Sequence, residues 1–533
     1  MPGLPVLLGI DRSSSNKVTI TWDGPSGYYR LYQSLALTNA KWQAVGTPNL
    51  SRMGSVSVIR SNVFFRVSGP SPSYAGAQVC GECHTTIYAS ESKAPHARAL
   101  DALHQVGQDK NPSCLPCHTV GYGLPTGFNE KDSKTMYLAG VQCENCHGPA
   151  ANHAANEADI TVRPRVELAA QVCGGCHQVA QHPAYTEWKG TEHATVVEDM
   201  SPTNRVSSCG RCHSGSARIE LLKGRNPLVT ATNDANVAIT CAVCHDPHAT
   251  HVWTNRLSGI VTNPIYGYVI TNNQMGRTYT NQLRNPLAST NYYSLSTSTN
   301  FNTAYNPNIN ICAQCHNARG AIWTDGSRPP HHSVQYNMLL GSVGELAAGS
   351  STFLPATHGL LEKQCVTCHM QEKPYSAGPP EVPAVTGHKF QVDTYQACTQ
   401  CHGTNLASIS NFVGFIQDLV LTDEDFSVWQ VKALLDQWAL TMAPPAIQKY
   451  SALAWEYYNA GELSNPNGTL FGPVSNTSDP SKDEQKYIPD KIKKARFNLY
   501  LVYYDGSAGV HNGPYALTLL VQARDWVWEE LNK

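Results

Sequence analysis

Apolar and polar positions follow two different rhythms at the two ends of this chain. Between residues 1 and 70, KVTITWDG (17–24), GYYRLYQS (27–34), KWQAVG (41–46), SVSVIR (55–60) and NVFFRVSG (62–69) alternate or run β-branched and aromatic between turn residues. That period of two predicts about five strands of a small β-sandwich. Residues 71–78, in GPSPSYAGAQ, read as a linker. From residue 406 onward the apolar positions recur at helical spacing. SVWQVKALLDQWALTM (427–442), AIQKYSALAWEYYNAGEL (446–463), PDKIKKARFNLYLVYY (489–504) and PYALTLLVQARDWVWEELNK (514–533) predict three to five helices. Pro445, Pro489 and Pro514 fall at their starts or breaks. Their aromatic stripes read as core.

Neither rhythm holds between 79 and 405. The stretch 271–310, rich in Asn, Thr, Ser and Tyr, reads as an extended loop or hairpin insertion. What repeats instead is Cys-x-x-Cys-His, nine times. The copies are Cys80, Cys83 and His84; Cys114, Cys117 and His118; Cys143, Cys146 and His147; Cys173, Cys176 and His177; Cys209, Cys212 and His213; Cys241, Cys244 and His245; Cys312, Cys315 and His316; Cys365, Cys368 and His369; and Cys398, Cys401 and His402. Two residues between the cysteines let both sulfurs form thioethers with one porphyrin, and the adjacent histidine then lies under the ring as an iron ligand. The nine copies consume all 18 cysteines. A zinc protein would not need a histidine after every pair, and a disulfide framework would not keep every pair at one spacing. The expectation is nine covalently attached c-type haems.

That density changes the fold expected of 533 residues. The porphyrins replace an ordinary side-chain core. The fold class is a mainly α and irregular multihaem cytochrome c fold, with a small β-sandwich before it (1–70) and helices after it (406–533). The formal charge is −2, and haem propionates would make the holoprotein more acidic. No basic stripe exists to neutralise phosphates, so nucleic acid is excluded as a partner. No run approaches the roughly 20 apolar residues of a membrane helix. Haem of this kind is attached outside the cytoplasm, which predicts a periplasmic or extracellular location. The opening MPGLPVLLGIDRSSS lacks the charged start and long apolar run of an export leader.

Of 21 histidines, nine belong to motifs and twelve are spare. Each iron has a sixth position, and imidazole is the obvious donor. His96 (ESKAPHARAL) and His193 (TEWKGTEHATV) each follow a motif and a short helix, as if duplicated. His153 follows a motif in CENCHGPAANH, and His248 follows another in CAVCHDPH. His358 and His388 precede motifs, His511 sits in DGSAGVHNGPYALTLL, and His182 lies just beyond the fourth motif. With one of His331 and His332 these supply nine candidates for nine irons. His104 and His251 are the expected non-ligands. Paired imidazoles would close the irons to small molecules and give low potentials suited to electron transfer.

The N-terminal stretch resembles fibronectin-type modules. CGECHTTIYASESKAPHARA, CLPCHTVGYGLPTGF and GVQCENCHGPAANH resemble the tetrahaem electron-transfer cytochrome of ammonia oxidisers. CVTCHM, TGHKF, CTQCH and DGSAGVHNGPYALTLL look like the later part of the superfamily holding hydroxylamine oxidoreductase and ammonia-forming nitrite reductase. The resemblance implies haems packed in parallel and perpendicular pairs. It implies distal roles for His96, His153, His193, His388 and His511. It does not carry over an activity: no Cys-x-x-Cys-Lys occurs, and no tyrosine presents itself as a haem crosslink. Two functions remain in competition. One is an electron conduit serving redox partner proteins or extracellular acceptors, with a homo-oligomer or filament as a special case. The other is an oxidoreductase whose one open haem takes nitrite, hydroxylamine or a sulfur oxyanion.

Overall fold

The computed structural model describes residues 6–14, 17–23, 29–38, 40–49, 53–57, 63–69, 72–196, 206–222, 238–248, 252–254, 260–262, 269–271, 278–280, 282–284, 311–350, 356–361, 364–464 and 479–533. Most of the insertion 271–310, and His251, lie outside them. The chain divides into two compact units. The first comprises Met1–Val252, Thr280–Arg284 and Glu372–Phe390; the second comprises Trp253–Tyr279, Asn285–Gln371 and Gln391–Lys533. Six motifs fall in the first and three in the second.

The first unit opens with six strands: β1 (Val6–Ser14), β2 (Lys17–Asp23), β3 (Tyr29–Ser34), β4 (Gln43–Asn49), β5 (Met53–Ser57) and β6 (Phe64–Ser68). They form two three-stranded sheets, ordered β1-β2-β5 and β4-β3-β6. Register Ile20↔Gly54 and Leu31↔Val67 sends alternate residues inward. Ile20, Trp22, Tyr29, Leu31, Val56 and Val67 make the core. Five strands match the alternating runs. The sixth, β1, is VLLGIDRSS, an apolar run that the sequence reading treated only as too short for an export leader. It finds its partner in β2.

Between the linker and Cys244, the described regular structure shrinks to helices of one or two turns, six of them built on the motifs themselves. Ala77–Cys83, Leu115–His118, Cys143–His147, Gln171–Gly174, Val206–His213 and Cys241–Cys244 carry the first six. Side-chain clamps hold them together. Glu144, 1 % exposed, accepts backbone N–H groups from Ala75 (3.0 Å), Gly76 (2.8 Å) and Ala150 (2.7 Å). Gln142 accepts the Ala77 N–H at 2.8 Å. A buried carboxylate is tolerable only when its oxygens are so satisfied. The clamp fixes the first motif helix against the third. Arg165 reaches from the third motif to the β-module, donating to the carbonyls of Cys146 and Trp22.

The second unit holds a conventional core. Helices Leu406–Thr422, Val428–Thr441, Asp490–Tyr504 and Gly513–Leu531 bury Leu435, Trp438, Trp455, Tyr457, Tyr500, Tyr515 and Leu519. Asn405, Ser427 and Asn512 cap three of them with side-chain oxygens, as polar residues at that position do. One predicted helix differs. AIQKYSALAWEYYNAGEL contains a 3-10 turn over Gln448–Leu453, broken where Ser451 takes φ +53°, and the start of another over Glu462–Ser464, but no α-helix. Trp455 and Tyr457 both point into the core from this irregular segment, and Arg496 donates to the Trp455 and Glu456 carbonyls that a helix would have consumed. No helix among the described residues is long and apolar enough to cross a membrane.

Candidate haem-binding sites

The 18 cysteines are unbridged, and thiols of different motifs lie side by side. Cys80 hydrogen-bonds with Cys143, Cys117 with Cys176, Cys173 with Cys241, and Cys312 with Cys365. In the first of these pairs the bond holds Cys80 below its ordinary value and pushes Cys143 above it. Cys117 falls to about 7, held there by its bond with Cys176. The attachment points of the first and third, second and fourth, fourth and sixth, and seventh and eighth motifs are therefore adjacent.

Ten of the 18 cysteines expected to attach haem are not among these thiol pairs, Cys212, Cys315 and Cys401 among them. Cys212 is half-buried one residue before the end of the helix Val206–His213. Cys315 is half-buried beside Cys312, and its charge is one of the lesser influences raising that thiol, after the bond with Cys365 and burial. Cys401 is exposed in the single turn Thr399–His402. Burial pushes its motif partner Cys398 up, with a smaller contribution from the charge of Cys401. Cys83 is likewise exposed, whereas Cys114, Cys146, Cys209, Cys244 and Cys368 are half-buried. The first and last motifs thus turn their second sulfur to the surface, and the thiol pairs named above join cysteines of the first, second, third, fourth, sixth, seventh and eighth motifs.

Among the described residues, six motif histidines face a spare histidine. Within the first unit, ring centres are 6.1 Å apart for His118 and His182, 5.7 Å for His147 and His248, 6.1 Å for His177 and His96, and 6.2 Å for His245 and His388. Within the second unit they are 6.2 Å for His369 and His511 and 6.1 Å for His402 and His358. The Nε2 atoms of His147 and His248 point at one another across 3.5 Å. Two metal–imidazole bonds of about 2 Å to one iron place ring centres about 6 Å apart, so the spacing fits a shared iron. His182 also lies 6.0 Å from His177.

The other ring nitrogen is anchored. Nδ1 of His118 meets the Ala99 carbonyl (2.7 Å), His147 that of Arg165 (2.6 Å), His358 that of Val510 (2.9 Å), and His388 that of Thr386 (3.0 Å). His511 meets the Asp505 carboxylate at 2.7 Å. Anchoring Nδ1 fixes the tautomer and leaves Nε2 for a metal. Burial holds His96, His147, His182, His358 and His388 below the usual imidazole value, and His177 and His245 at about 4. Neutral imidazole is the ligating form. At His511 burial pulls the same way, but the charge and hydrogen bond of Asp505 outweigh it and the value is raised.

The remaining candidates lie in other surroundings. His84 is exposed between two short helices, and His213 ends the helix Val206–His213. His153 is half-buried, with Nδ1 lacking a hydrogen-bond partner. His193 packs edge-on against Phe390 at 4.7 Å. His316 approaches Gln335 Oε1 at 3.4 Å. His331 bonds Ser333 Oγ at 3.1 Å, while His332 lies on the Tyr504 ring at 4.0 Å with Nε2 3.7 Å from Glu462. His104 is exposed and bonded to Asp109. Phe412, 53 % exposed, lies 6.2 Å from His402, an apolar face a porphyrin would cover. Sequence reasoning missed Glu144 and Glu187, whose backbone partners are remote in the chain. The only available signal at Glu144 was a carboxylate inside a motif.

Attachment motifs, anchored neutral imidazoles and their pairing define the class: the chain is a multihaem c-type cytochrome and binds its haem covalently. Within that class the family model for cytochrome c554 and c-prime matches residues 79–148 and 311–403. The chain is 29 % identical over 160 residues to the multiheme cytochrome MtrA of Shewanella baltica (strain OS185), covering 26 % of this chain and 45 % of that one. It is 31 % identical over 96 residues to cytochrome c-554 of Nitrosomonas europaea, covering 15 % and 40 %. The matched regions thus span less than half the length of either curated relative. A similar solved structure is that of the outer cell wall cytochrome OcwA, with a TM-score of 0.48 and 18 % identity over 85 % of this chain and 99 % of that one.

Proposed function

We propose that this chain carries nine haems, one on each motif, and passes electrons along them between redox partners outside the cytoplasm. The six imidazole pairs carry this reading. Bound haem supplies a one-electron iron couple, which two imidazoles hold at low potential. The chain's own residues attach, cap and orient. His118 with His182, His147 with His248, His177 with His96, His245 with His388, His369 with His511 and His402 with His358 would each hold one iron between them. His84, His213 and His316 hold the remaining irons from the motif side, with distal ligands drawn from His153, His193 and the neighbours His331 and His332. Adjacent thiols of different motifs favour closely spaced haems, as a conduit needs. A conduit also favours an acceptor large enough to meet an exposed haem edge, a partner protein or an extracellular solid, and a chain of copies in a filament would extend the same path.

The alternative, reduction of nitrite, hydroxylamine or a sulfur oxyanion, needs an iron without a second imidazole. Six capped irons are unsuited to it. Intact mass and the pyridine haemochrome of purified holoprotein test the haem count: nine haems per chain is expected, and fewer than nine refutes one haem per motif. Stoichiometric, reversible reduction without turnover of those substrates supports the conduit, and turnover sinks it.

A further inference from the structure

Glu187 lies in the short helix Ala184–Lys189, in the segment between His182 and His193. Its side chain is not turned to solvent; the residue is 9 % exposed. Both carboxylate oxygens are spent on one remote tripeptide, Thr386-Gly387-His388. The Thr386 N–H donates to Oε1 at 3.0 Å, the Thr386 hydroxyl to Oε2 at 2.8 Å, and the His388 N–H to Oε2 at 2.8 Å. The partners are about 200 residues away in sequence and in the same compact unit. The tripeptide is brought there by a hairpin, in which Lys373 pairs with Val385 and Ser376 with Val382. The Ala384 N–H closes the approach on the Ala180 carbonyl at 2.8 Å.

The contact continues to the ring. The Thr386 carbonyl takes Nδ1 of His388 at 3.0 Å, and the far side of that imidazole faces His245 at 6.2 Å between ring centres. One carboxylate therefore fixes the backbone on both sides of Gly387, and with it the carbonyl that sets the ring's rotation. Gly387 itself has φ +76°, a conformation that glycine adopts at no cost and that holds no turn by itself. Charge-assisted bonds to backbone N–H groups are among the stronger hydrogen bonds, and groups that orient a ligand matter for metal affinity almost as the ligand does.

We infer that Glu187 is a positioning residue that holds His388 over the haem of the Cys241–His245 motif, so that this iron's closed state depends on a carboxylate that never touches it. The inference rests on the reading of His388 as an axial ligand. It adds that the contact between the segment after the fourth motif and the hairpin that precedes His388 is also a coordination device. Loss of the carboxylate lets Thr386-Gly387-His388 swing away, and the iron becomes open.

The test uses full-length holoprotein with the variants Glu187→Ala, Glu187→Asp, Thr386→Val and His388→Ala. The ferric high-spin signal in electron paramagnetic resonance and the carbon monoxide bound per reduced chain are read, with haem content measured alongside. His388→Ala should add one high-spin, carbon monoxide-binding haem per chain. Glu187→Ala should add the same one at unchanged haem content, and Glu187→Asp should return most of it to low spin. Thr386→Val removes the hydroxyl that donates to Glu187 and that also lies 3.0 Å from His388 Nδ1, and it should raise the carbon monoxide association rate at that haem several-fold. It therefore serves as the readout if Glu187→Ala fails to mature. If His388→Ala opens a haem while Glu187→Ala and Thr386→Val leave every haem low-spin and closed, the positioning role is wrong. If His388→Ala itself opens nothing, the ligand reading beneath it is wrong.

Discussion

Glu456 should make the C-terminal helical unit less stable as pH rises, and replacing it with glutamine should remove that dependence. The carboxyl is fully buried. It accepts the Tyr500 hydroxyl at 2.6 Å, the Tyr457 N–H at 2.8 Å and the Ser464 hydroxyl. Arg496 lies close by, its guanidinium donating to the Trp455 and Glu456 carbonyls at 2.7 Å each. Burial pushes the Glu456 carboxyl up to about 7 from 4.5, against the pull of those hydrogen bonds and of the arginine. The folded value exceeds the unfolded one, so its contribution is fully present below about pH 4.5 and lost as pH rises through about 7. A gap of about 2.5 units amounts to about 3 kcal/mol, a large part of an ordinary domain's stability. Glutamine keeps an acceptor oxygen for Tyr500 and cannot ionise. Guanidinium unfolding of the holoprotein, followed by far-ultraviolet circular dichroism between about pH 5 and pH 8, reads the helices directly. The wild-type midpoint should fall with pH, and Glu456→Gln should flatten that fall by about 3 kcal/mol. An equal fall in both proteins would refute the assignment.

Three further outcomes are expected. His96→Ala should open one haem per chain to carbon monoxide; because His182 lies within 6.1 Å of both His118 and His177, resonance Raman should find the opening at either of those two motifs and at no other. Asp505→Asn keeps an oxygen beside His511 but loses the charge, so the haem at Cys365–His369 should stay low-spin while its reduction potential rises in a spectroelectrochemical titration. Gly140→Ala should cost more than about 1 kcal/mol in thermal unfolding and open the haem opposite His96. Gly140 has φ +83°, an added Cβ would sit 2.4 Å from the Ala97 carbonyl, and the neighbouring Val141 N–H holds the His96 carbonyl at 2.9 Å.

What the sequence made legible is what is local. A motif states its own chemistry because attachment is settled within five residues, and β2 through β6 announce themselves by alternation. Strand β1 was not legible because VLLGIDRSS alternates poorly and is defined by its pairing with β2. The failed helix around Ser451 shows the converse. Helical spacing in AIQKYSALAWEYYNAGEL arises because several aromatics must reach one core, and Arg496 completes the irregular backbone from another helix. Spare histidines could be counted, but not matched to irons. His388 reaches His245 only because a hairpin and Glu187 carry it there, and His358 is oriented by Val510, from the loop that also bears His511. Such partners are fixed by tertiary structure and leave no spacing to read.

The central claim is that paired imidazoles close the irons. Carbon monoxide titration of the fully reduced holoprotein tests it most directly, since the gas binds readily only to an uncapped ferrous haem. Among the described residues, six of the nine motif histidines face a second imidazole. The account predicts an end point of at most three molecules per chain, with the other haems keeping the spectrum of six-coordinate low-spin iron. Rapid binding of four or more would contradict it.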